Sequence, residues 1–534
     1  MIDDDSPRRF GLAADQELCS PHAMSNDAEK RHFVYDKFMR FSTSQERALA
    51  RLVGARHELA LLTDFPSFAH RAQQHSLLGS YESTRSFLLG VLSALKESAE
   101  EEQAILAATL RDAGGPSHLT ECDLTYAQAL YEKALSRRAS PSPALRRALT
   151  AGRLLDGFER LCAVLYDCSF ERSVPEEGEC WPAHVLKLHV LDSGRTRSLG
   201  HIYLDLGARA SKTAGDCHYT VRCSKLLESG EWQTPIVVLS LGVLDENCPP
   251  SEWQNAPIGV SGAENLFHEL GHAMHSMLGR TTYQHVAGTR CPPDFSEIPS
   301  NLMEYFFKDA RVLHWLLSEG GGGGGNTTAL SLDDVSAVLA TRCAFTSLEI
   351  VQQAMYGLFD LELHTQPWAS AIAAGSRSSS ELFDEIRSSA LPNVRPGPGV
   401  AFQHRQAAHA AHRDERRHTS QIRAPRLVRR SLLLVHCGQE RGLSALASRL
   451  QAGAVLARQR TPLGGRKQQQ QQSPLSSTTV PNVEVQNWGG GRASADLLAD
   501  ILGRPPTAQT LVGALRDEAT ELRELHRTFI QRSR

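Results

Sequence analysis

The residues His268, Glu269 and His272 form a His-Glu-x-x-His motif, a spacing typical of half a zinc site on a helix. Because residues four apart lie one above the other on the same helix face, the two histidines can share one ion. Glu269 lies one step round the helix, where it can take a proton from a water on that ion. Zinc with three protein ligands keeps a fourth position for water and lowers the pKa of that water to about 7. The motif therefore predicts a hydrolytic metal site with Glu269 as its base.

The sequence around this motif has the periodicity of a helix that packs against a core. A motif of this kind arises by chance with a probability of roughly a few per cent at this histidine content. Apolar neighbours at three- and four-residue spacing lower that probability further. These neighbours are Ala263, Leu266, Phe267, Leu270, Ala273, Met274 and Met277. We therefore favour a metal site over coincidence.

A third ligand should come from a second element, and the segment after the motif offers carboxylates. Pro292 and Pro293 end a polar loop and precede an apolar-periodic stretch, which predicts one helix running to about Leu317. A carboxylate in its first turn could complete a set of two histidines and one acidic residue. The candidates are Asp294, Glu297 and Glu304. Each could equally be an acid that the helix dipole favours, so composition leaves the choice open.

The segment from Phe267 to Tyr305 closely resembles the thimet-oligopeptidase family of zinc peptidases. The runs Gly288-Thr-Arg-Cys-Pro-x-Asp-Phe-x-Glu-x-Pro-Ser and Leu302-Met-Glu-Tyr look most like the mitochondrial intermediate peptidase branch of that family. The resemblance implies that Glu297 is the third ligand and that each chain holds one Zn²⁺. It also implies that Glu304 and Asp294 do not bind the ion but support the residues that do, with Glu304 holding a ligand imidazole in the right tautomer.

The expected fold class is mainly α with a small β-sheet, built around a zincin-like helical metallopeptidase core. Helical periodicity predicts a helical subdomain over 29–182, and a period of two predicts a small sheet over 183–245. A helical zinc-peptidase core is expected over 246–402, and C-terminal helices are expected over 488–534. The expected strands are 185–191, 201–206, 218–222 and 235–241. A sheet edge beside the zinc helix would let an extended substrate add as another strand.

Composition excludes several classes of function. A net charge of −3 over 534 residues predicts no general attraction to nucleic acid or to acidic membrane surfaces. The longest clean apolar run, 235–244, has about half the length that crosses a bilayer, so no membrane span is expected. Eleven scattered cysteines without a Cys-x-x-Cys pair indicate reduced thiols inside a cell, and Cys291 is expected to be a buried or loop thiol.

Three segments look unlike a packed core. Residues 1–28 are expected to be disordered, and the six-glycine run 320–325 is expected to be a flexible surface insert. The alternative for that run, a phosphate-binding loop, lacks the lysine and the following Ser or Thr. Residues 403–487 contain no Phe, Tyr or Trp and carry fourteen bases against four acids, which predicts disorder.

The segment 403–487 has other interpretations. Its bases lack the interleaved aromatic residues that stack on nucleic acid, and its histidines, such as His404 and His418, could bind metal only adventitiously. The resembling family has a His- and Tyr-rich loop at this distance from the motif that stabilises an oxyanion. This chain has no tyrosine after Tyr356, but another reading frame would supply tyrosines at the codons of 432–434. We therefore suspect a frame or splicing error in this stretch.

The sequence thus predicts a zinc-dependent endopeptidase or oligopeptidase that acts on short or unfolded peptides. The resemblance implies that it trims N-terminal presequences of proteins imported into the mitochondrial matrix. The alternatives are a general oligopeptidase that clears free peptides and a catalytically impaired zinc-binding remnant. The first residues resemble neither a secretory signal nor a transit peptide, and the chain begins deep inside the family's expected length. A cytoplasmic location is therefore the alternative to the matrix.

Overall fold

Helices form most of the fold in a computed structural model of the chain. The structure describes residues 25–39, 43–138, 142–181, 185–396, 496, 499 and 507–532, with gaps at 210, 213–214, 246, 250 and 319–329. The predictions for 1–24, the six-glycine run, 403–487 and most of 488–506 lie outside these residues. In chain order the helices are α1 (Ala28–Met39), α2 (Thr43–Leu62), α3 (Phe68–Gln73), α4 (Tyr81–Asp112), α5 (Leu124–Arg138), α6 (Pro143–Ala148), α7 (Ala151–Tyr166), α8 (Val260–Leu278), α9 (Pro293–Ser296), α10 (Ile298–Lys308), α11 (Ala310–Ser318), α12 (Leu332–Arg342), α13 (Thr346–Leu363), α14 (Trp368–Ala373), α15 (Ser379–Ala390) and α16 (Ala508–Arg532).

The strands form one main sheet and two short pairs. They are β1 (Leu119–Thr120), β2 (Cys168–Ser173), β3 (Val185–Asp192), β4 (Ser198–Gly207), β5 (Cys217–Arg222), β6 (Lys225–Leu226), β7 (Trp232–Gln233), β8 (Ile236–Leu244) and β9 (Val394–Arg395). The main sheet has five strands in the order β2-β3-β4-β8-β5, with β4 and β8 parallel and the other neighbours antiparallel. The four predicted strands are present as β3, β4, β5 and β8, and β5 lies at one edge.

Two local predictions are wrong. The stretch 168–173 was expected to be helical, but Asp167 adopts a left-handed conformation (φ 51°) that ends α7, and the chain then pairs with β3. The predicted continuous helix from Pro293 to Leu317 is broken into α9, α10 and α11. The second break occurs at Asp309, whose backbone is extended and whose carboxylate accepts from the N–H of Arg311 at 3.0 Å. A capping carboxylate starts a new helix here.

The described residues divide into two compact units. One contains those between 25 and 138, between 343 and 396 and between 507 and 532, and the other contains those between 142 and 342 together with 496 and 499. The second unit holds the His-Glu-x-x-His motif and the main sheet. The linear domain boundaries that we inferred from the sequence remain a prediction.

Buried polar contacts organise the first unit. Arg31 donates to one oxygen of Asp123 from Nε and a terminal nitrogen, at 2.9 and 2.7 Å, and both side chains are almost fully buried. Glu102 accepts from the backbone N–H groups of Ser347 and Leu348, at 3.2 and 2.7 Å, in the first turn of α13. These carboxylates therefore satisfy buried donors that would otherwise lack partners.

Helix α8 forms the centre of the second unit. It packs against β4, β5 and β8 on one side and against α10 on another. Its predicted apolar residues are all inaccessible to solvent: Ala263, Leu266, Phe267, Leu270, Ala273, Met274 and Met277. A Cβ atom on Gly271 would lie only 2.6 Å from the carbonyl oxygen of Pro299. The absence of a side chain there lets the start of α10 approach α8 closely.

Within the described ranges, the structure contains no helix with both the length and the apolar character needed to cross a lipid bilayer.

Candidate metal centre

Helix α8 places His268 and His272 on one face, as their four-residue spacing predicts. Their ring centroids are 4.9 Å apart, and the ring planes are nearly perpendicular. Each imidazole, together with the carboxylate of Glu297, offers a ligand atom within 4.8 Å of the other two. The structure therefore brings together the three residues that were expected to bind the metal.

Glu297 reaches the histidines because it lies at the junction between α9 and α10. Its Oε2 atom is 3.4 Å from Nε2 of His268 and 3.1 Å from Nε2 of His272. Ser300, in the first turn of α10, donates a hydrogen bond to the same oxygen at 3.0 Å. The close approach at Gly271 brings this junction onto α8. Local backbone geometry and helix packing thus fix the position of Glu297, the expected third ligand.

The spacing of these donor atoms fits a zinc ion. Ligand atoms about 2.0–2.2 Å from a tetrahedral ion lie roughly 3.3–3.6 Å from one another. The distances from Oε2 of Glu297 to Nε2 of His272 and of His268, 3.1 and 3.4 Å, are close to that range. Two imidazole nitrogens and one carboxylate are also a donor set that catalytic zinc sites use.

Glu304 lies behind His268. Its Oε1 atom is 2.7 Å from Nδ1 of His268, so Nδ1–H donates to the carboxylate, and Nε2 is the nitrogen that can bind an ion once it gives up its own proton. Burial alone would raise the pKa of Glu304, but hydrogen bonds and charge from His268 and Lys308 lower it to about 2. The structure thus places Glu304 where it can select the tautomer of His268.

The electrostatics of the cluster favour an added positive charge. Burial disfavours a charged His268, yet hydrogen bonds with Glu297 and Glu304 raise its pKa to about 10. Burial likewise disfavours the charged form of Glu297, but the two histidines hold its pKa far below the usual range. Two partly buried carboxylates therefore stabilise a positive charge between them, and a divalent cation would supply it.

Glu269 is next to His268 in sequence and is only 7% exposed. Burial raises its pKa above the usual range, although the nearby histidines act in the opposite direction. A carboxylate with a raised pKa is better matched to accepting a proton near neutral pH.

A profile of peptidase family M3 matches residues 22–408, which is more than half of the chain. The chain belongs to peptidase family M3. Its relatives include the mitochondrial intermediate peptidases of Pongo abelii and Homo sapiens. They are 36% identical over 311 and 312 residues, which covers 58% of this chain and 42% of each relative. The mitochondrial intermediate peptidase of Mus musculus is 34% identical over 349 residues, 65% of this chain and 47% of that relative.

This chain therefore spans a little under half the length of these curated relatives. Membership of family M3, together with the observed elements, confirms the predicted fold class, mainly α with a small sheet and a zincin-like helical core. The family match also confirms the resemblance on which the assignment of Glu297 depended.

The edge strand of this M3 chain carries a residue that sequence reasoning missed. His218 on β5 lies 5.8 Å from the ring of His272, and its Nε2 atom is 3.1 Å from Oγ of Ser276 on α8. Burial lowers the pKa of His218 to about 3, so it is neutral at physiological pH. Its place in a predicted strand gave no indication of this contact, because the pairing of β5 with α8 depends on tertiary packing.

A second contact ties the start of β5 to the same helix. Asp216 accepts from the side-chain amide of Asn265 at 2.7 Å and from the backbone N–H of Gly242 at 2.8 Å. The negative charge of Asp216 also contributes, after burial and the other neighbours, to the raised pKa of Glu269. Contacts at Asn265 and Ser276 therefore hold the start of β5 against α8, with one contact before the motif and one after it.

Two further candidates remain: Asp294, which was expected to support the metal ligands, and a second group of possible metal donors. Asp294 lies in α9, but its side chain is outside the described side chains, so its role remains a prediction. His32, Cys122 and Asp123 form another group of possible metal donors among the described residues. There Asp123 is already paired with Arg31 and accepts from Thr120 at 2.6 Å, so its charge is compensated without an ion.

Proposed function

We propose that this chain is a zinc-dependent endopeptidase or oligopeptidase, with His268, His272 and Glu297 as the ligands of one Zn²⁺ and Glu269 as the base. The observation that carries the proposal is the approach of the three donors to within 4.8 Å of one another. Glu304 supports it because a carboxylate bonded to the second nitrogen of a ligand imidazole recurs in zinc sites.

Each residue of the site has a separate role in peptide hydrolysis. When bound, Zn²⁺ supplies a Lewis acid that polarises a carbonyl oxygen and lowers the pKa of water. Glu269 accepts a proton from the attacking water and passes it to the leaving amine. Glu304 keeps His268 in the tautomer with a proton on Nδ1, and Ser300 holds the carboxylate of Glu297 in place.

An extended peptide would bind along the edge strand β5. This strand is the last in the order of the main sheet, so its outer backbone groups can pair with an added strand. Tyr219 and Val221, which alternate along it, are 46% and 65% exposed. Since β5 is tied to α8 at both ends of the motif, a peptide on that edge would lie beside Glu269.

We propose N-terminal presequences of imported proteins as the substrates and the mitochondrial matrix as the location. The support is the similarity to proteins named mitochondrial intermediate peptidase. A general oligopeptidase that clears free peptides is the alternative. Parallel hydrolysis of a presequence peptide and of unrelated peptides of equal length separates the two, since only a processing enzyme should prefer the presequence.

A catalytically impaired zinc-binding remnant is a second candidate function. One observation favours it: the sequence has no tyrosine after Tyr356, whereas the resembling family has a His- and Tyr-rich loop that stabilises an oxyanion. Peptidase assays on this chain distinguish an active peptidase from a catalytically impaired remnant. Zinc binding without turnover would establish the remnant.

Metal analysis after dialysis tests the metal centre itself. The parent chain should retain about one zinc, and His268→Ala and Glu297→Ala should lose most of it. His285→Ala is a matched control, because His285 is exposed and lies outside the donor group. Undiminished zinc in both His268→Ala and Glu297→Ala would refute the assignment.

A further inference from the structure

Lys308 lies between two carboxylates that belong to different helices. Its Nζ atom is 2.8 Å from Oε2 of Glu304, one turn earlier in α10, and 2.8 Å from Oε1 of Glu264 in α8. Glu264 in turn precedes His268 by one helical turn. A continuous set of contacts therefore runs from Glu264 through Lys308 and Glu304 to Nδ1 of His268.

The positive charge of Lys308 lies between two negatively charged side chains that would otherwise repel each other. Because both carboxylates touch the same ammonium group, their contacting oxygens lie within about 6 Å of each other, where like charges repel appreciably. Glu304 is only 22% exposed and Glu264 only 16%, so water screens that repulsion weakly. The ammonium group cancels the repulsion and holds the second oxygen of Glu304 while the first one contacts His268.

We propose that Lys308 is a positioning residue of the metal centre, which fixes Glu304 against His268 and thereby fixes the imidazole for metal binding. This inference rests on the proposed zinc site. Without the ammonium group, Glu264 would repel Glu304, and the carboxylate would turn toward solvent and release Nδ1. His268 would then have to be oriented each time an ion binds, so zinc affinity would fall.

The direction of the change in zinc affinity distinguishes positioning by Lys308 from a direct effect of its positive charge. A positive charge near a metal centre disfavours a second cation, so loss of that charge alone would tighten zinc binding. Loss of positioning weakens it, and partners behind a ligand typically change metal affinity by about 10–100-fold. For Lys308→Met, which keeps chain length without charge, we expect zinc to bind about tenfold more weakly.

Chelator competition on the full chain at one fixed pH measures this affinity. Lys308→Arg restores a cation and should stay within about threefold of the parent. Arg342→Met is the matched control, because Arg342 contacts the other oxygen of Glu264 at 2.9 Å but does not touch Glu304; its loss removes charge without positioning and should not weaken zinc binding. The melting temperature of the metal-free variants reports any general loss of folding.

A double-mutant cycle tests the route through Glu304. Glu304→Gln should weaken zinc binding by itself, and Lys308→Met should then add little to it. Parental or tighter binding by Lys308→Met, or fully multiplicative effects of the two changes, would overturn the inference. The variant His268→Ala distinguishes failure of the proposed metal site from failure of the proposed role of Lys308. If it also keeps its zinc, the metal site fails; if it loses zinc while Lys308→Met does not, only the role of Lys308 fails.

Discussion

Replacement of Gly271 by alanine tests how closely α8 and α10 must approach to assemble the metal centre. The new Cβ atom would lie 2.6 Å from the carbonyl oxygen of Pro299 and 2.6 Å from Cα of Ser300. Both are backbone atoms, which cannot rotate away as a side chain can. Restoring ordinary van der Waals contact requires the start of α10 to withdraw by about 0.8 Å.

This displacement would change both stability and zinc binding. Glu297 directly precedes α10 and is held by Ser300, so the carboxylate would move with the helix. Metal–ligand distances tolerate deviations of only about 0.2 Å, so we expect zinc affinity to fall at least about tenfold. Overpacking of this kind costs about 1–3 kcal/mol. For a unit of this size, that lowers the melting temperature by roughly 3–8 °C.

Chelator competition and thermal unfolding measure the two effects, with Gly262→Ala as the control on the same helix. A Cβ atom at Gly262 would meet only side-chain atoms, of Ile258 at 3.2 Å and Val243 at 3.3 Å, which can adjust. The control should therefore keep the parental zinc affinity. If Gly271→Ala matches the parent in both measurements, the close approach does not position Glu297.

Two further predictions concern the base and the first unit. Glu269→Gln keeps the shape of the side chain but removes the proton acceptor, so zinc content should persist while peptidase activity falls by about 10² or more; surviving activity would show that Glu269 is not the base. Arg31→Met leaves Asp123 buried without its cation and should destabilise the chain by about 3–5 kcal/mol in urea unfolding. Its neighbour Lys30 makes only an exposed 3.9 Å pair, so Lys30→Met should cost about 0–1 kcal/mol; equal losses would contradict the argument.

The part of the site that could be predicted from sequence is the part encoded by local periodicity. His268 and His272 share a helix face because they are four residues apart, and the apolar residues around the motif predict the buried side of the same helix. The alternating strands of the sheet were predictable for the same reason. The strand over 168–173 was not, because one left-handed residue, Asp167, ends α7, and pairing with β3 then decides the conformation.

The position of the proposed third ligand, Glu297, depends on tertiary structure. In a helix continuous from Pro293, the position of Glu297 would give no reason to prefer it over Glu304, and only family resemblance made that choice. The structure supplies the physical reason. The helix is interrupted at Glu297, and α10 begins against the backbone of Gly271, which has no side chain. Glu297 then faces both Nε2 atoms, whereas Glu304, two turns further on, faces Nδ1 of His268. Two similar carboxylates thus acquire different positions because one precedes the helix and the other lies within it.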